Sequence, residues 1–131
     1  MLTEPGLGAA LQDLAGRSPV PVTVEAAPGE RLPAAVEATA YFVVAECLAN
    51  VAKYAHASGA WVAVRREPRA LAVEVRDDGA GGADPAAGSG LRGLTDRVGA
   101  LDGHLWVDSP PGAGTTVRAV VPLATTRDGS A

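Results

Sequence analysis

The strongest constraint on the fold of this 131-residue chain is a long helical pattern at residues 33–55. Apolar side chains recur there at helical spacing, and Pro33 suits the first turn of a helix. The apolar set comprises Val36, Ala40, Val43, Val44, Cys47, Leu48, Val51 and Ala52. The pattern therefore predicts one continuous helix, the longest in the chain.

Shorter strand and helix patterns lie on both sides of this helix. Strand patterns, with alternating apolar and polar side chains, occur at residues 20–25, 61–66, 71–76, 104–108 and 115–123, and further helical patterns at residues 7–15 and 91–101. Adjacent pairs of strands separated by helices predict an α+β fold. We expect a mixed sheet with helices on one face.

Composition excludes several classes of function. A net charge of −4 and a pI near 5.0 argue against a nucleic-acid interface. A single cysteine, Cys47, excludes an internal disulfide framework and a four-cysteine zinc site. No uninterrupted apolar run approaches the length of a membrane span, and the first residues do not resemble a signal peptide. We therefore expect a cytoplasmic domain.

A polar stripe of three side chains lies on the second half of the long helix. Glu46, Asn50 and Lys53 stand at positions i, i+4 and i+7, so they project within about 40° of one another on a regular helix. Oxygen ligands of this kind hold a hard cation, and a lysine ammonium group attracts phosphate. The alternative is a solvated face with one helical ion pair, and these residues alone leave both interpretations open.

Acidic and glycine residues directly follow the strand pattern at residues 71–76. The sequence from Asp77 to Gly81 is DDGAG. A carboxylate accepts hydrogen bonds, so it can bind an exocyclic amine, and glycines let the backbone approach a planar ligand. The alternative is an ordinary β-turn, because Asp-Gly is a strong turn signal.

Two further glycine-rich segments precede the last helix and the last strand. Residues 88–94 (GSGLRGL) open a helix with free amide groups, which attract anions, but they lack the lysine of a phosphate-binding P-loop. They also follow a loop, whereas a dinucleotide-binding fingerprint follows a strand. Residues 112–116 (GAGTT) form a turn, where Thr115 either binds a ligand edge or belongs to an ordinary hairpin.

Together, the order and spacing of these motifs resemble the ATP-binding domain of two-component sensor histidine kinases. That domain shares the Bergerat fold with DNA gyrase, the Hsp90 chaperones and the MutL mismatch-repair proteins. The resemblance covers roughly residues 20–124 and implies a two-layer α/β sandwich with a mixed, mostly antiparallel sheet. The helical stretch at residues 91–101 is similar to that of the subgroup with a short ATP lid.

On the phosphate side, the resemblance implies three catalytic residues, Glu46, Asn50 and Lys53. Asn50 would ligate Mg²⁺ that bridges the phosphates of ATP. Glu46 would lie beside the metal and the reacting phosphate, where it would orient a group or accept a proton. Lys53 would contact phosphate.

On the base side, the resemblance implies that Asp77 accepts a hydrogen bond from the adenine amine. Thr115 would join this adenine network, and Thr116 would take its place if the register differs by one. The remaining nucleotide-binding positions are Gly79 and Gly81 beside the base, and Gly88, Gly90 and Leu91 at the end of the lid and the start of the helix.

The resemblance also implies a domain that lies outside this chain. The family carries its phosphoacceptor histidine on an upstream dimerisation domain, and we interpret His56 and His104 as structural residues. The expected organisation is a connector helix at residues 1–18, an ATP-binding kinase domain at 19–124 and a disordered tail at 125–131.

The function expected from the resemblance is autophosphorylation with Mg-ATP, followed by transfer of the phosphate to a response regulator. The expected partners are the dimerisation domain and that regulator, with a monomeric fragment and a homodimeric parent kinase. Whether the parent is membrane-anchored stays open. Two alternatives share the same motifs: an anti-sigma-factor serine kinase and a degenerate, non-catalytic nucleotide-binding module.

Overall fold

The computed structural model describes residues 6–55, 57–79 and 91–123, which contain three helices and five strands. In chain order they are α1 (Gly6–Arg17), β1 (Val22–Ala26), α2 (Ala34–Asn50), β2 (Ala60–Glu67), β3 (Ala70–Asp77), α3 (Leu91–Gly99), β4 (His104–Asp108) and β5 (Thr115–Pro122). Every helix and strand predicted from the sequence patterns is present, with small shifts at the ends.

The strands form one mixed sheet in the order β1-β2-β3-β5-β4. Only β1 and β2 run parallel, and the other three pairings are antiparallel. At the centre of the sheet Val75 pairs with Val62 on one side and with Val117 on the other. The predicted fold class, an α+β fold with a mixed, mostly antiparallel sheet, is therefore confirmed.

The helices cover one face of this sheet because apolar side chains alternate along each strand. On β3 the helix-facing residues Leu71, Val73 and Val75 are at most 3% exposed, whereas the intervening residues are partly exposed. No described element packs over the opposite face. Trp106 on that face is 52% exposed, so the sheet is open to solvent there.

Helix α1 belongs to the same core as the rest of the chain. Leu7 and Leu11 are almost fully buried and join the apolar cluster formed by α2 and the sheet. The segment that we expected to serve as a connector therefore also contributes to the packing of this domain. Whether it continues into a separate helical domain stays a prediction.

The long helix differs from its predicted form in its last turn. The helix extends to residue 55 as predicted, but its α-helical part ends at Asn50 and its last turn, Val51–Ala55, is π-helical. At this junction the amide of Val51 donates to the carbonyls of both Cys47 and Leu48. Because a π-turn has i→i+5 hydrogen bonds, Lys53 is rotated away from its position on a regular helix.

The same helix is the core helix of the fold. Within the described residues, Ala34–Lys53 is the one helical stretch long and apolar enough to cross a membrane by length and composition. Half of that stretch is buried inside the protein. Val43 and Val44 are at most 1% exposed within the core cluster, which explains the apolar composition without a membrane.

A buried carboxylate fixes the entry to this helix. Glu37, 1% exposed, accepts hydrogen bonds from Arg31 Nε and Nη2, both at 3.2 Å. It also accepts one from the backbone amide of Leu32 at 3.0 Å. The pair thus holds the segment before α2 against its first turn.

We predict that Glu37→Ala lowers the free energy of unfolding by about 1–3 kcal/mol, because it removes the buried acceptor of three hydrogen bonds, one of them from the backbone amide of Leu32. Urea denaturation measures this change. The control is Asp13→Ala, which removes an exposed ion pair with Arg17 and has little effect. Equal losses in the two variants would contradict a structural role for the buried carboxylate.

Candidate functional site

The candidate site begins at Asp77, the last residue of β3. In the sheet register Asp77 pairs with Ala60 and Thr115, and strand alternation places its side chain on the helix-covered face, like Val75. One carboxylate oxygen accepts a hydrogen bond from the amide of Gly79 at 2.8 Å. The carboxylate is partly buried at the carboxyl end of a central strand.

Burial raises the pKa of Asp77 above its ordinary value. The backbone amides of Gly79 and Thr115 act in the opposite direction, and the negative charge of Asp78 adds to the increase. A carboxyl group in such a setting requires a hydrogen-bond donor to stabilise its charged form. An exocyclic amine supplies a donor of this kind.

The turn before β5 packs directly against the backbone of Asp77. Gly114 has a φ of +78°, and a Cβ atom at this position would lie 2.3 Å from the carbonyl oxygen of Asp77. The positive φ and the close approach to the Asp77 carbonyl each require glycine at this position. Gly114 appears in the sequence motif, but its contact with Asp77 depends on the pairing of β3 with β5 and is not visible in the sequence.

The two threonines at the start of β5 lie on opposite faces of the sheet. Thr115 pairs with Asp77, and its hydroxyl group lies 2.6 Å from that of Ser109. Thr116 pairs with Arg76 and points to the open face, away from the Asp77 carboxylate. The geometry therefore favours Thr115 over Thr116 as the partner of Asp77 in the candidate site.

The polar residues of the long helix are half-buried or exposed and lack partners. Glu46 and Asn50 are half-buried, and Lys53 is exposed on the π-helical turn. Within residues 6–55, 57–79 and 91–123, none of these three side chains forms a hydrogen bond or an ion pair. The helical ion pair of the alternative interpretation is absent from this described part of the chain.

Cys47 shows that the two halves of the candidate site adjoin each other. Burial raises the pKa of this thiol to about 12, and the negative charges of Glu46 and Asp77 contribute to the increase. The Asp77 carboxylate thus lies close enough to α2 to act on its side chains. Asn50 follows Cys47 by about one helical turn, so both lie towards the same end of α2.

Asp78 makes contacts that the sequence analysis did not anticipate. Its carboxylate accepts hydrogen bonds from the amide of Ser58 at 2.9 Å, the amide of Gly59 at 3.1 Å and the hydroxyl group of Ser58. These bonds join the end of β3 to the segment that follows the π-helical turn. The sequence motif contains Asp78, but its partners lie 19 and 20 residues away in the chain.

Several predicted site residues lie outside the described residues, and the side chain of another packs in the core. Gly81, Gly88 and Gly90 fall outside the described residues, as does His56. Leu91 begins α3, and its side chain is 2% exposed in the core. Its side chain therefore anchors the helix start, which leaves only its backbone to face a ligand.

A surface groove between α2 and α3 is separate from these residues. Its volume is about 490 Å³, and it is lined by Thr39, Phe42, Gly93, Asp96, Arg97, Ala100 and Leu101. The guanidinium group of Arg97 lies 4.3 Å from the centre of the Phe42 ring. None of the site residues predicted from the sequence lines this groove.

The donor set suits a magnesium nucleotide. The carboxylate of Glu46 and the carboxamide of Asn50 offer oxygen ligands, which Mg²⁺ prefers, and Lys53 offers a positive charge for phosphate. Asp77 and Thr115 offer hydrogen-bonding groups to the edge of a base. Gly114 keeps the backbone beside Asp77 free of a side chain. The residues present therefore fit both the cation and the base.

Comparisons of this sequence with those of known proteins agree with this arrangement. The pattern of the family described as histidine kinase-, DNA gyrase B-, and HSP90-like ATPase matches residues 35–125. The chain is 35% identical over 100 residues to the signal transduction histidine-protein kinase/phosphatase DegS of Brevibacillus brevis, covering 74% of this chain and 26% of that protein. It is 30% identical over 89 residues to the sensor histidine kinase YdfH of Bacillus subtilis strain 168, covering 63% and 22%. The chain thus spans about a quarter of these relatives or less.

Solved structures give the same result for the fold. The blue-light activated histidine kinase of Erythrobacter litoralis EL346 superposes with a TM-score of 0.71 and 25% identity, over 89% of this chain and 39% of that one. A structure of the histidine kinase domain of that protein gives a TM-score of 0.68 and 28% identity, over 89% and 59%. The similarity includes nearly all of the described elements.

We predict that Gly114→Ala lowers the free energy of unfolding by more than 2 kcal/mol, about twice the loss in Gly112→Ala. Both glycines have a positive φ, but a Cβ at Gly112 meets nothing within 4 Å. The difference between the variants isolates the contact with Asp77 and is measured by urea denaturation. Equal losses would show that the contact does not constrain the site.

Proposed function

The chain belongs to the family of histidine kinase-, DNA gyrase B- and HSP90-like ATPases, and on this premise we propose that it binds Mg-ATP as the catalytic domain of a sensor histidine kinase. In this proposal it supplies the γ-phosphate for autophosphorylation of a histidine on a separate dimerisation domain. The observation that carries the proposal is the partly buried Asp77 beside Thr115, close to the helix that carries Glu46, Asn50 and Lys53.

The adenine base is recognised at the end of β3. The carboxylate of Asp77 accepts a hydrogen bond from the adenine amine. The carbonyl group of guanine at that position has no proton to donate, so it would place one acceptor against another. Thr115 adds its hydroxyl group from the neighbouring strand. Gly79 holds the carboxylate in place through its amide. The arrangement thus selects adenine over guanine.

The phosphates are bound at the other end of the site, along α2. Asn50 and Glu46 provide oxygen atoms on consecutive turns of the helix, and Lys53 provides a positive charge on the next turn. Asn50 would hold a Mg²⁺ ion there, with Glu46 beside it, and the ion would supply positive charge to offset that of the phosphates. Glu46 orients the incoming nucleophile or accepts its proton. Gly81 completes this proposal beside the base, and Gly88 and Gly90 complete it at the lid.

The acceptor and the partners follow from the relatives. The matched relatives are named as histidine kinases, which supports a histidine acceptor on a dimerisation domain and a response regulator that receives the phosphate. We propose that the domain acts in the cytoplasm and that its parent kinase is a homodimer. An anti-sigma-factor serine kinase is distinguished by its product, because phosphohistidine is labile in acid and phosphoserine is stable.

We predict that Asp77→Asn weakens Mg-ATP binding about 10- to 100-fold, because the amide replaces an acceptor by a donor at the base. Asn50→Ala is expected to remove the dependence of binding on Mg²⁺. Isothermal titration calorimetry measures both effects. The control, Asp108→Asn, changes a carboxylate on the open face and leaves the affinity unchanged. Parental affinity in both site variants would refute the proposal.

The pH dependence of binding follows from the raised pKa of Asp77. Because burial favours the protonated form, Asp77 loses its charge at a higher pH than exposed aspartates do. We predict that the affinity for Mg-ATP falls as the pH decreases through this pKa, whereas in Asp77→Asn only the titration of the nucleotide remains. The stability of the free protein changes with the opposite sign: the native state binds the proton more tightly than the unfolded state, so stability decreases as the pH rises through the same range. Identical pH profiles of affinity in parent and variant would contradict this role.

A further inference from the structure

We propose that Asp78 is a positioning residue that holds the base-binding end of β3 at a fixed distance from the phosphate-binding end of α2. The inference rests on the proposed function, because it concerns how the two halves of one nucleotide site are kept in register. Asp78 itself contacts neither half of the ligand in this account.

The contacts of Asp78 join two segments that are distant in the sequence. Its Oδ1 accepts hydrogen bonds from the amides of Ser58 and Gly59, and its Oδ2 accepts one from the Ser58 hydroxyl group. The amide of Asp78 also donates to the carbonyl of Gly59 at 3.4 Å. Four hydrogen bonds thus hold residues 58–59 to a single residue at the end of β3.

The position of this connection gives it a role in the site. Residues 57–59 lie between the π-helical turn that carries Lys53 and the start of β2. Asp78 directly follows Asp77, which we propose to read the base. A displacement of this segment therefore changes the distance between the ammonium group of Lys53 and the carboxylate of Asp77.

Residues 57–59 and the start of β2 also have contacts on the sides that face away from Asp78. The ring of Trp61 lies 3.5 Å from the position of a Cβ atom on Gly59, and the guanidinium group of Arg76 lies 5.4 Å from the centre of that ring. The amide of Ala60 donates to the carbonyl of Pro21 at 2.9 Å. These contacts limit the segment from the open face and from β1. Asp78 connects the segment to the base-binding strand, beside the pairing of Ala60 with Asp77.

The carboxylate of Asp78 is exposed, so burial adds little to the strength of these hydrogen bonds. The hydroxyl group of Ser58, followed by the amide of Gly59, lowers the pKa of Asp78, and the group is charged at neutral pH. Charge-assisted hydrogen bonds of this kind hold a segment in one geometry. Loss of the carboxylate is expected to leave the fold intact, because no core residue touches it.

The test compares a ligand that uses both halves of the site with one that uses only the base. Asp78→Asn keeps the shape of the side chain but removes its charge and replaces one acceptor by a donor. We expect the Kd of Mg-ATP to increase about tenfold and the Kd of adenosine to stay unchanged. Calorimetry measures the first and an NMR titration the second, both with the full 131-residue chain.

Ser58→Ala is the second variant, because it removes one donor and leaves both backbone amides in place. It is expected to weaken Mg-ATP binding less than Asp78→Asn, and the double variant is expected to match Asp78→Asn, since the hydroxyl group acts through that carboxylate. Asp108→Asn, on the open face, is the matched control and leaves both constants unchanged.

The outcomes separate the inference from the proposed function. Equal losses for Mg-ATP and adenosine, or no loss for either, would overturn the positioning role of Asp78. Absence of Mg-ATP binding by the parent chain would instead refute the proposed function. A selective loss for Mg-ATP in Asp78→Asn, with additive effects in the double variant, would also overturn the inference, because Ser58 would then act independently of Asp78.

Discussion

The pairing of β3 with β5 is the interaction on which the rest of the structure depends. It places Val75 against Val117 in the centre of the core and, at the end of the same ladder, Asp77 beside Thr115. The contact of Gly114 with the carbonyl of Asp77 requires the same register. A shift of one residue would move Thr115 to the open face and bring a different side chain to the carboxylate. The register that forms the core therefore also forms the end of the candidate site that we propose to bind the base.

The long helix connects this sheet to the end of the site that we propose to bind phosphate. Its buried face packs on the sheet through residues such as Val43, Val44 and Cys47. Glu46 and Asn50 are half-buried, and Lys53 is exposed. Burial raises the pKa of the Cys47 thiol on this helix, and the negative charges of Glu46 and Asp77 add to the increase. Glu37 and Arg31 fix the beginning of the helix, far from the site. Rigid packing at one end thus leaves the other end available for ligands.

Local patterns in the sequence were sufficient to predict the helices, the strands and the fold class. The alternation of residues 71–76 and the helical spacing of residues 33–50 depend on nearest neighbours only, which is why both are readable without a structure. The order of the strands, the parallel pairing of β1 and the burial of α1 depend on contacts between distant segments. The π-helical turn at Val51–Ala55 is likewise invisible, because the apolar positions of a regular helix continue through it.

In the candidate site, too, some residues could be predicted from the sequence and others depend on contacts between distant segments. Glu46, Asn50 and Asp77 stand out as polar residues at unusual positions, and the family resemblance, which the comparisons confirm, connects them to ATP. Gly114 and Asp78 depend on contacts with Asp77, Ser58 and Gly59 that only the folded chain provides. Both residues occur in the sequence motifs, but the contacts that give them a role form only in the tertiary structure.

The most direct test of this account is a crystal structure of the chain with Mg²⁺ and a non-hydrolysable ATP analogue. The account predicts that the adenine amine lies within hydrogen-bond distance of the Asp77 carboxylate and that the Asn50 side-chain oxygen ligates the metal. A nucleotide bound in the groove between α2 and α3, or with its base remote from Asp77, would contradict it.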